Sequence, residues 1–452
     1  MMRVLYTIAG IALLPIALLR VWWRGLAEPG YRVAWRERLG HASTVMRGRH
    51  AASPLIWVHA VSLGETHAAK PLIEGLLHNL PHHRVLITST TATGRAAAAD
   101  IAHAWQGRVT QAWLPYDLPW AVRRFLKAYE PVLGIVMETE VWPNLMHAAK
   151  AQGVMMMLAN ARMSERSARG YLRAGGLMRN AFAEFDAVLA QSVADAGRLS
   201  ALGARNARVT GNLKFDMRPS QRQIAQGRQW RQRIARPVVL AASTRDGEEA
   251  IILDSWQHHA PQWKSLGYPL LVMVPRHPQR FDEVGGLIAA SGLTLTRRSA
   301  LPRDPADTPI STDALLGNSM AEMAMYYAQC DVVIMGGSLG DYGSQNFIEA
   351  CACGKPVVLG PSTFNFAAAA ASATASGAAI SVSASREAVS CALRLLSSPQ
   401  SLAQAAQSAE RFATQHRGAL RLHLEAVLLL LDQRQQAQSP LTSWREDPLT
   451  RH

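Results

Sequence analysis

Leu55-Ile-Trp-Val-His-Ala-Val-Ser-Leu-Gly-Glu65 decides the fold: a strand over 55–59, a tight turn, and the start of a helix over 65–80. A short apolar run closed by a turn and followed by a helix-length segment is the unit of a parallel sheet covered on both faces. The unit recurs. Val85–Ser89, closed by Thr-Ala-Thr-Gly and an alanine-rich helix, is followed by Val109–Trp113, Val132–Met137, Val154–Leu158 and Ala187–Ala190. The pattern breaks in a Gln- and Arg-rich stretch over 212–237. It restarts with Val238–Ala242, Leu270–Val274, Leu293–Thr296, Val332–Met335 and Val357–Leu359. Two consecutive doubly wound α/β domains are expected, with ligands in the cleft they make, beyond the carboxyl ends of the strands.

The length of 452 residues suits two domains of roughly 200 residues each. The expected boundaries are a membrane anchor at 1–24, an N-terminal domain at 25–215, a connection at 216–237, a C-terminal domain at 238–425, and a helix end and tail at 426–452. The tail from Gln433 onward is polar and is read as loose.

Net charge is +14, unevenly placed: residues 1–215 carry 25 Lys/Arg against 13 Asp/Glu, and residues 216–452 carry 22 against 20. A basic N-terminal half points to an anionic partner, whether nucleic acid, membrane surface or phosphorylated substrate. Val4–Leu19 is uncharged and is followed by Arg20, Trp22, Trp23 and Arg24. The run is slightly short for a span unless Val21–Trp23 extend it, and no A-x-A cleavage site follows. It reads as an uncleaved anchor with an interfacial tryptophan belt. Seven arginines from Arg20 to Arg49 face two acids, Glu28 and Glu37, which places the body on the cytoplasmic face. A helix lying on that same membrane face satisfies the pattern as well. The arginines are not interleaved with aromatics on a strand face, and no recognised nucleic-acid motif occurs. The four cysteines, Cys330, Cys351, Cys353 and Cys391, lack the spacing and the nearby histidine of a zinc site. They read as small buried thiols.

Five segments carry candidate chemistry. Glu65 falls at a helix N-terminus, where a carboxylate can take a proton from an acceptor hydroxyl or merely oppose the helix dipole. Val136-Met-Glu-Thr-Glu-Val-Trp-Pro-Asn144 ends an apolar strand with Glu138 and Glu140, which strand alternation would put on one side. Lys214, between Leu213 and Phe215, either points inward or lies on the surface with its stem over apolar area. Val274-Pro-Arg-His-Pro-Gln-Arg280 ends another strand, and Arg276 there either grips a phosphate or faces solvent. Gly336-Gly-Ser-Leu-Gly-Asp-Tyr-Gly-Ser-Gln-Asn-Phe-Ile-Glu349 is a strand-to-helix turn whose backbone N–H groups would face an anion. Asn346 and Glu349 would share a helix face, with Glu349 on ribose hydroxyls and Asn346 toward phosphate. Neither G-x-G-x-x-G nor a P-loop occurs.

Taken in order, W-V-H-A-V-S-L-G-E, L-P-Y-D-L-P, M-E-T-E-V-W-P-N, N-A-R-M-S-E-R-S, G-N-L-K-F-D, V-P-R-H-P-Q-R-F and L-G-P-S-T-F-N-F resemble the 3-deoxy-D-manno-octulosonic acid (Kdo) transferases of lipopolysaccharide assembly. The resemblance runs from the anchor to about Phe366. It implies a GT-B fold of two Rossmann-like doubly wound domains, the first for the acceptor and the second for a CMP-sugar. It implies an inverting, metal-independent transfer from CMP-Kdo to the lipid A precursor (lipid IVA) at the cell inner membrane, with no cofactor and no nucleic-acid partner. Glu65 would be the general base, and Glu138 and Lys214 would support the transition state. CMP contacts would fall on Pro275, Arg276, Met320, Ala321, Glu322, Asn346, Phe347, Ile348 and Glu349. Where such enzymes usually have Met-Gly-Glu, this chain has Met320-Ala321-Glu322. Where they usually have Gly-Gly, it has Gly343-Ser344. Both loops keep their N–H donors if neither position needs a positive φ. A GT-B enzyme with another nucleotide-sugar donor, such as a UDP-sugar, is the alternative reading.

Overall fold

The computed structural model describes residues 1–42, 53–216, 219–305 and 307–438. The chain divides into two compact units: residues 1–216 with 418–452, and residues 217–417. Each is built on a seven-stranded sheet whose strand pairs are all parallel. The doubly wound α/β expectation holds for both.

In the first unit the strands are β1 (Leu55–His59), β2 (Arg84–Ser89), β3 (Val109–Trp113), β4 (Pro131–Met137), β5 (Met155–Ala161), β6 (Ala187–Ala190) and β7 (Ala207–Val209), in the order β3-β2-β1-β4-β5-β6-β7. All five β1 residues are buried because both sheet faces are covered. One face packs Leu55, Trp57 and Leu86 against Phe125 and Leu126 of the helix Pro119–Tyr129. The other packs Ile56 and Val58 against Leu72, Ile73 and Leu76 of the helix Leu63–Asn79. A Cβ on Gly134 in β4 would lie 2.6 Å from Met156 Sδ and 2.9 Å from the Trp57 ring. The close approach of β1, β4 and β5 therefore needs a glycine there.

The second unit carries β8 (Val238–Thr244), β9 (Leu270–Pro275), β10 (Leu295–Arg297), β11 (Ala314–Leu316), β12 (Val332–Met335), β13 (Val357–Leu359) and β14 (Ala379–Ser381), in the order β10-β11-β9-β8-β12-β13-β14. The reading of 216–237 as a connection is corrected for 221–233. Those residues form a helix that buries Ile224, Gly227 and Trp230. A Cβ on Gly227 would meet Met325 O at 2.3 Å, so this helix sits tight against Met323–Gln329.

The end of the chain also departs from expectation. Rather than belonging to the second domain and then loosening from Gln433, the chain returns to the first unit as a helix, Ala419–Gln438. Asp216 caps its start, accepting from Gly418 N–H at 2.8 Å and Leu420 N–H at 2.6 Å. Val427, Leu430 and Leu431 join the core beside β1 and β4. Arg434 donates to the carbonyls of Val132 and Gly153. The remainder of the tail, 439–452, lies outside the described residues, as do Arg47 and Arg49.

The N-terminal apolar helix is longer than the Val4–Leu19 run, spanning Met2–Ala27, and is long and apolar enough to cross a membrane. It is also docked on the first unit by polar contacts. The Tyr6 hydroxyl bonds Asp117, and Asn144 Nδ2 donates to Thr7 Oγ1 at 3.1 Å. At its other end Arg24 lies over the Tyr31 ring.

Candidate active site

Chain order reverses between β1 and β4 in the first sheet and between β8 and β12 in the second. Segments leaving the carboxyl ends of such strand pairs diverge and leave a crevice. Glu65 and Glu138 follow β1 and β4.

After β1, Ser62 caps the helix Leu63–Asn79, its Oγ accepting from Glu65 N–H. The Glu65 carboxylate folds back: Oε2 accepts from Val61 N–H at 2.9 Å and Oε1 from Ser62 Oγ at 3.3 Å. This is close to a capping box, and it fixes the carboxylate's direction. Burial, and then the charge of Glu138, push the Glu65 carboxyl up to about 7, against the pull of the Val61 N–H. A carboxylate titrating near neutrality suits proton abstraction from a hydroxyl.

β4 ends at Met137. Glu138 then adopts φ +58°, so strand alternation does not relate it to Glu140, and that expectation is corrected. Left-handed backbone costs a non-glycine residue about 1–2 kcal/mol. Here it is held by Glu138 N–H to Ala159 O at 2.9 Å and by two cations on the side chain. Glu138 is 5% exposed, with Arg162 Nε at 2.9 Å and Lys214 Nζ at 3.4 Å. Lys214 thus points inward, the first of its two readings. Glu140 is nearby, its carboxyl raised by burial and in part by the Glu138 charge.

Arg162 escaped the sequence reading as a site residue, although it stands in N-A-R-M-S-E-R-S. The signal was its position just past β5, the strand beside β4. The support behind the site is also built from distant segments. Asn160 Oδ1 accepts from Leu213 N–H at 2.9 Å, placing the turn that carries Lys214. Asn160 N–H donates to His423 Nε2 at 2.9 Å, and His423 Nδ1 bonds Ala419 O at 2.7 Å. Burial depresses the His423 imidazole to about 4, which keeps it a neutral acceptor.

In the second unit Arg276 follows β9 and Arg245 follows β8. Burial, then the neighbouring Arg245, lower the Arg276 guanidinium. His277 beside them is held neutral by burial and by the charges of Arg245, Arg276 and Arg280. Arg280 is neutralised by Glu249 at 2.7 Å and Glu283 at 3.0 Å. Among the described residues no carboxylate pairs with Arg276. A half-buried guanidinium without a counter-ion, with Arg245 beside it, is suited to an anionic ligand. Pro275 is buried at the end of β9.

The glycine-rich turn after β12 is not the open anion cradle expected. Glu248, 1% exposed, occupies it from inside: its carboxylate accepts from Gly337 N–H at 2.7 Å, Leu339 N–H at 2.9 Å and Gly340 N–H at 3.0 Å. The protein supplies its own anion to those donors. The helix then begins at Ile348, after Asn346, so Asn346 and Glu349 do not share a helix face. Asn346 Oδ1 accepts from Ile348 N–H at 3.3 Å. Phe347 and Ile348 are in the core, Phe347 against the rings of Phe366 and Phe412, so only their backbone can meet a ligand. The Glu349 carboxyl is raised by burial, and no hydrogen bond or ion pair to it occurs among the described residues. It remains suited to hydroxyl donors.

Met320 is exposed, and Glu322 Oε1 pairs with Arg298 at 2.9 Å. Ala321 and Ser344 both take positive φ, +61° and +72°. The condition for an unstrained change from glycine is therefore not met at either position. Ser344 is buried and donates its N–H to Gly337 O, which ties the strained residue to the turn that Glu248 fills.

Residues 33–217 match the family model described as 3-deoxy-D-manno-octulosonic-acid transferase (kdotransferase). A 3-deoxy-D-manno-octulosonic acid transferase of Bordetella pertussis is 44% identical over 432 residues, covering 94% of this chain and 98% of that protein. The Haemophilus influenzae protein of the same description is 34% identical over 376 residues, covering 81% and 84%. A glycosyltransferase structure from Rickettsia africae superposes with a TM-score of 0.56 at 13% identity, covering 84% of this chain and 99% of that one. At that identity the likeness concerns the fold alone.

Proposed function

The chain belongs to the Kdo transferase family of GT-B glycosyltransferases, and from that premise we propose that it transfers Kdo from CMP-Kdo to the lipid A precursor in lipopolysaccharide core synthesis. The observation that carries the chemistry is the Glu65 carboxyl, raised to about 7 and aimed by Val61 and Ser62 beside the paired Glu138.

Glu65 takes the proton of the acceptor hydroxyl. The hydroxyl oxygen forms a bond to the anomeric carbon of Kdo, and the bond from that carbon to the CMP phosphate oxygen breaks, with its electron pair leaving on CMP. One displacement inverts the anomeric centre. Positive charge developing on the sugar is stabilised by Glu138, whose direction Arg162 and Lys214 hold. Arg276 and Arg245 neutralise the departing phosphate, and Glu349 accepts from ribose hydroxyls. Phe347 contributes its backbone N–H only, while that of Ile348 is taken by Asn346 Oδ1.

On this reading the enzyme works at the cell inner membrane with its catalytic units on the cytoplasmic face; the N-terminal helix, long and apolar enough to cross a membrane, supports the membrane part of it. Contacts at Tyr6, Thr7 and Arg24 hold both ends of the helix against the same unit. This favours a helix lying along the interface, with Ile8, Ile11, Leu19 and Trp23 turned outward. The positive φ at Ala321 and Ser344 supports, as a second reading, a donor other than CMP-Kdo. Incubation with CMP-Kdo and lipid A precursor, followed by product mass spectrometry, tests the proposal. Kdo-sized mass increments support it. A product formed only from a UDP-sugar, with UDP and not CMP as competitor, supports the second reading.

A further inference from the structure

A cavity of about 330 Å³ opens in the first unit between the N-terminal helix and the carboxyl ends of its strands. The apolar wall is Leu13, Ile16, Ala17 and Val21 of that helix, and its polar side is Arg20, Arg24, Arg38 and Tyr116. Three arginines meet there without a carboxylate among the lining residues. Glu37, next to Arg38 in the chain, is engaged elsewhere: its Oε2 accepts from Arg95 at 2.8 Å and from Trp113 N–H at 2.9 Å.

Arg38 is 4% exposed, stacked 3.7 Å over the Trp113 ring. Its Nε is buried without a hydrogen-bond partner, as is the Tyr116 hydroxyl. A buried guanidinium costs several kcal/mol unless its donors are met. Two unmet polar groups, beside two further arginines and an apolar helix face, describe a ligand with an anionic head and an alkyl tail.

The cavity adjoins the base. Thr90, on its wall, donates its N–H to Val61 O, and Val61 N–H donates to Glu65. We propose that this cavity binds a phosphate monoester carried on an acyl-chain lipid, with Arg20, Arg24, Arg38 and Tyr116 on the phosphate and the N-terminal helix along the acyl chain. On the proposed transfer reaction, on which this assignment rests, that lipid is the acceptor. The site then holds a phosphate of the acceptor while its hydroxyl meets Glu65. The helix becomes half of a substrate site as well as an attachment to the bilayer.

The test uses the full chain and two variants that spare the buried Arg38 stack: Arg20→Gln with Arg24→Gln, and Tyr116→Phe. Phosphatidylcholine vesicles are doped with phosphatidic acid, a monoester, or with phosphatidylglycerol, a diester, at matched surface charge. Wild type should prefer the phosphatidic acid vesicles. The double variant should lose that preference by about tenfold or more, and Tyr116→Phe by several-fold. Equal binding to both vesicles, or variants that keep the preference, would overturn the assignment. Displacement by inorganic phosphate as effective as by phosphatidic acid would overturn the lipid source. In the transfer assay the double variant should raise the acceptor KM about tenfold and leave the CMP-Kdo KM in place. If wild type transfers no Kdo while the vesicle preference stands, the reaction assignment fails and the site survives.

Discussion

Replacing Glu65 by Gln should stabilise the first unit while removing its catalytic carboxylate. Glu65 titrates at about 7 when folded, against an ordinary 4.5, so the folded chain holds this proton more tightly than the unfolded one. Ionisation therefore opposes folding. The penalty is absent below the unfolded value, grows from about pH 4.5 upward, and is complete above about pH 7. A shift of roughly 2.5 units corresponds to about 3 kcal/mol at about pH 8 and about 1 kcal/mol at about pH 5.5. Gln carries no charge to penalise, and its amide oxygen keeps the Val61 N–H. Urea unfolding of wild type and Glu65→Gln, followed by pulsed hydrogen exchange on β1 and β4 peptides, reads this directly. The variant should gain about 3 kcal/mol at the higher pH, with the gain shrinking on acidification. Equal destabilisation at both pH values would make Glu65 an ordinary helix cap and contradict its raised carboxyl.

Ala321→Gly and Ser344→Gly should each raise the thermal stability of the second unit. Release from left-handed backbone exceeds the added chain entropy of glycine by roughly 0.5–1 kcal/mol; a lower midpoint for both would contradict the strain. Arg276→Ala should weaken CMP binding by calorimetry by about 2 kcal/mol, roughly thirtyfold, without moving the unfolding midpoint. An unchanged Kd would remove Arg276 from the phosphate site. Glu248→Gln should lower the urea midpoint of the second unit by about 2 kcal/mol or more, because three turn N–H groups lose an ionised acceptor. A loss of CMP affinity with stability intact would instead make the turn a ligand site.

Much of this molecule is legible along the chain, and the missing parts share a cause. β1, β3, β6, β12 and β13 match the expected runs residue for residue; β12 and β13 are the clearest, since parallel strands buried throughout must be continuously apolar. β7, β11 and β14 were not anticipated. Each has three residues, and Ala207-Arg-Val or Ala379-Ile-Ser offers too little apolar sequence to stand out. Glu65 could be singled out because it opens the helix after a strand, and Arg276 because it follows the end of one. Whether they carry charge partners could not, since that depends on segments far away. Glu248 lies 89 residues before the turn it fills, and His423 supports Asn160 across 263 residues. The return of the chain to the first unit is equally long-range: Asp216 caps a helix that begins about two hundred residues later. The strain at Ala321 and Ser344 was visible only as missing glycines, and their φ angles turn that absence into an energy.

Everything proposed for the chemistry turns on Glu65 removing the acceptor proton in Kdo transfer. The most direct measurement is single-turnover mass spectrometry of the lipid product with saturating CMP-Kdo, comparing wild type with Glu65→Gln of equal CMP affinity. A Kdo-bearing product should form with wild type and none with the variant. Comparable product from the variant would contradict it.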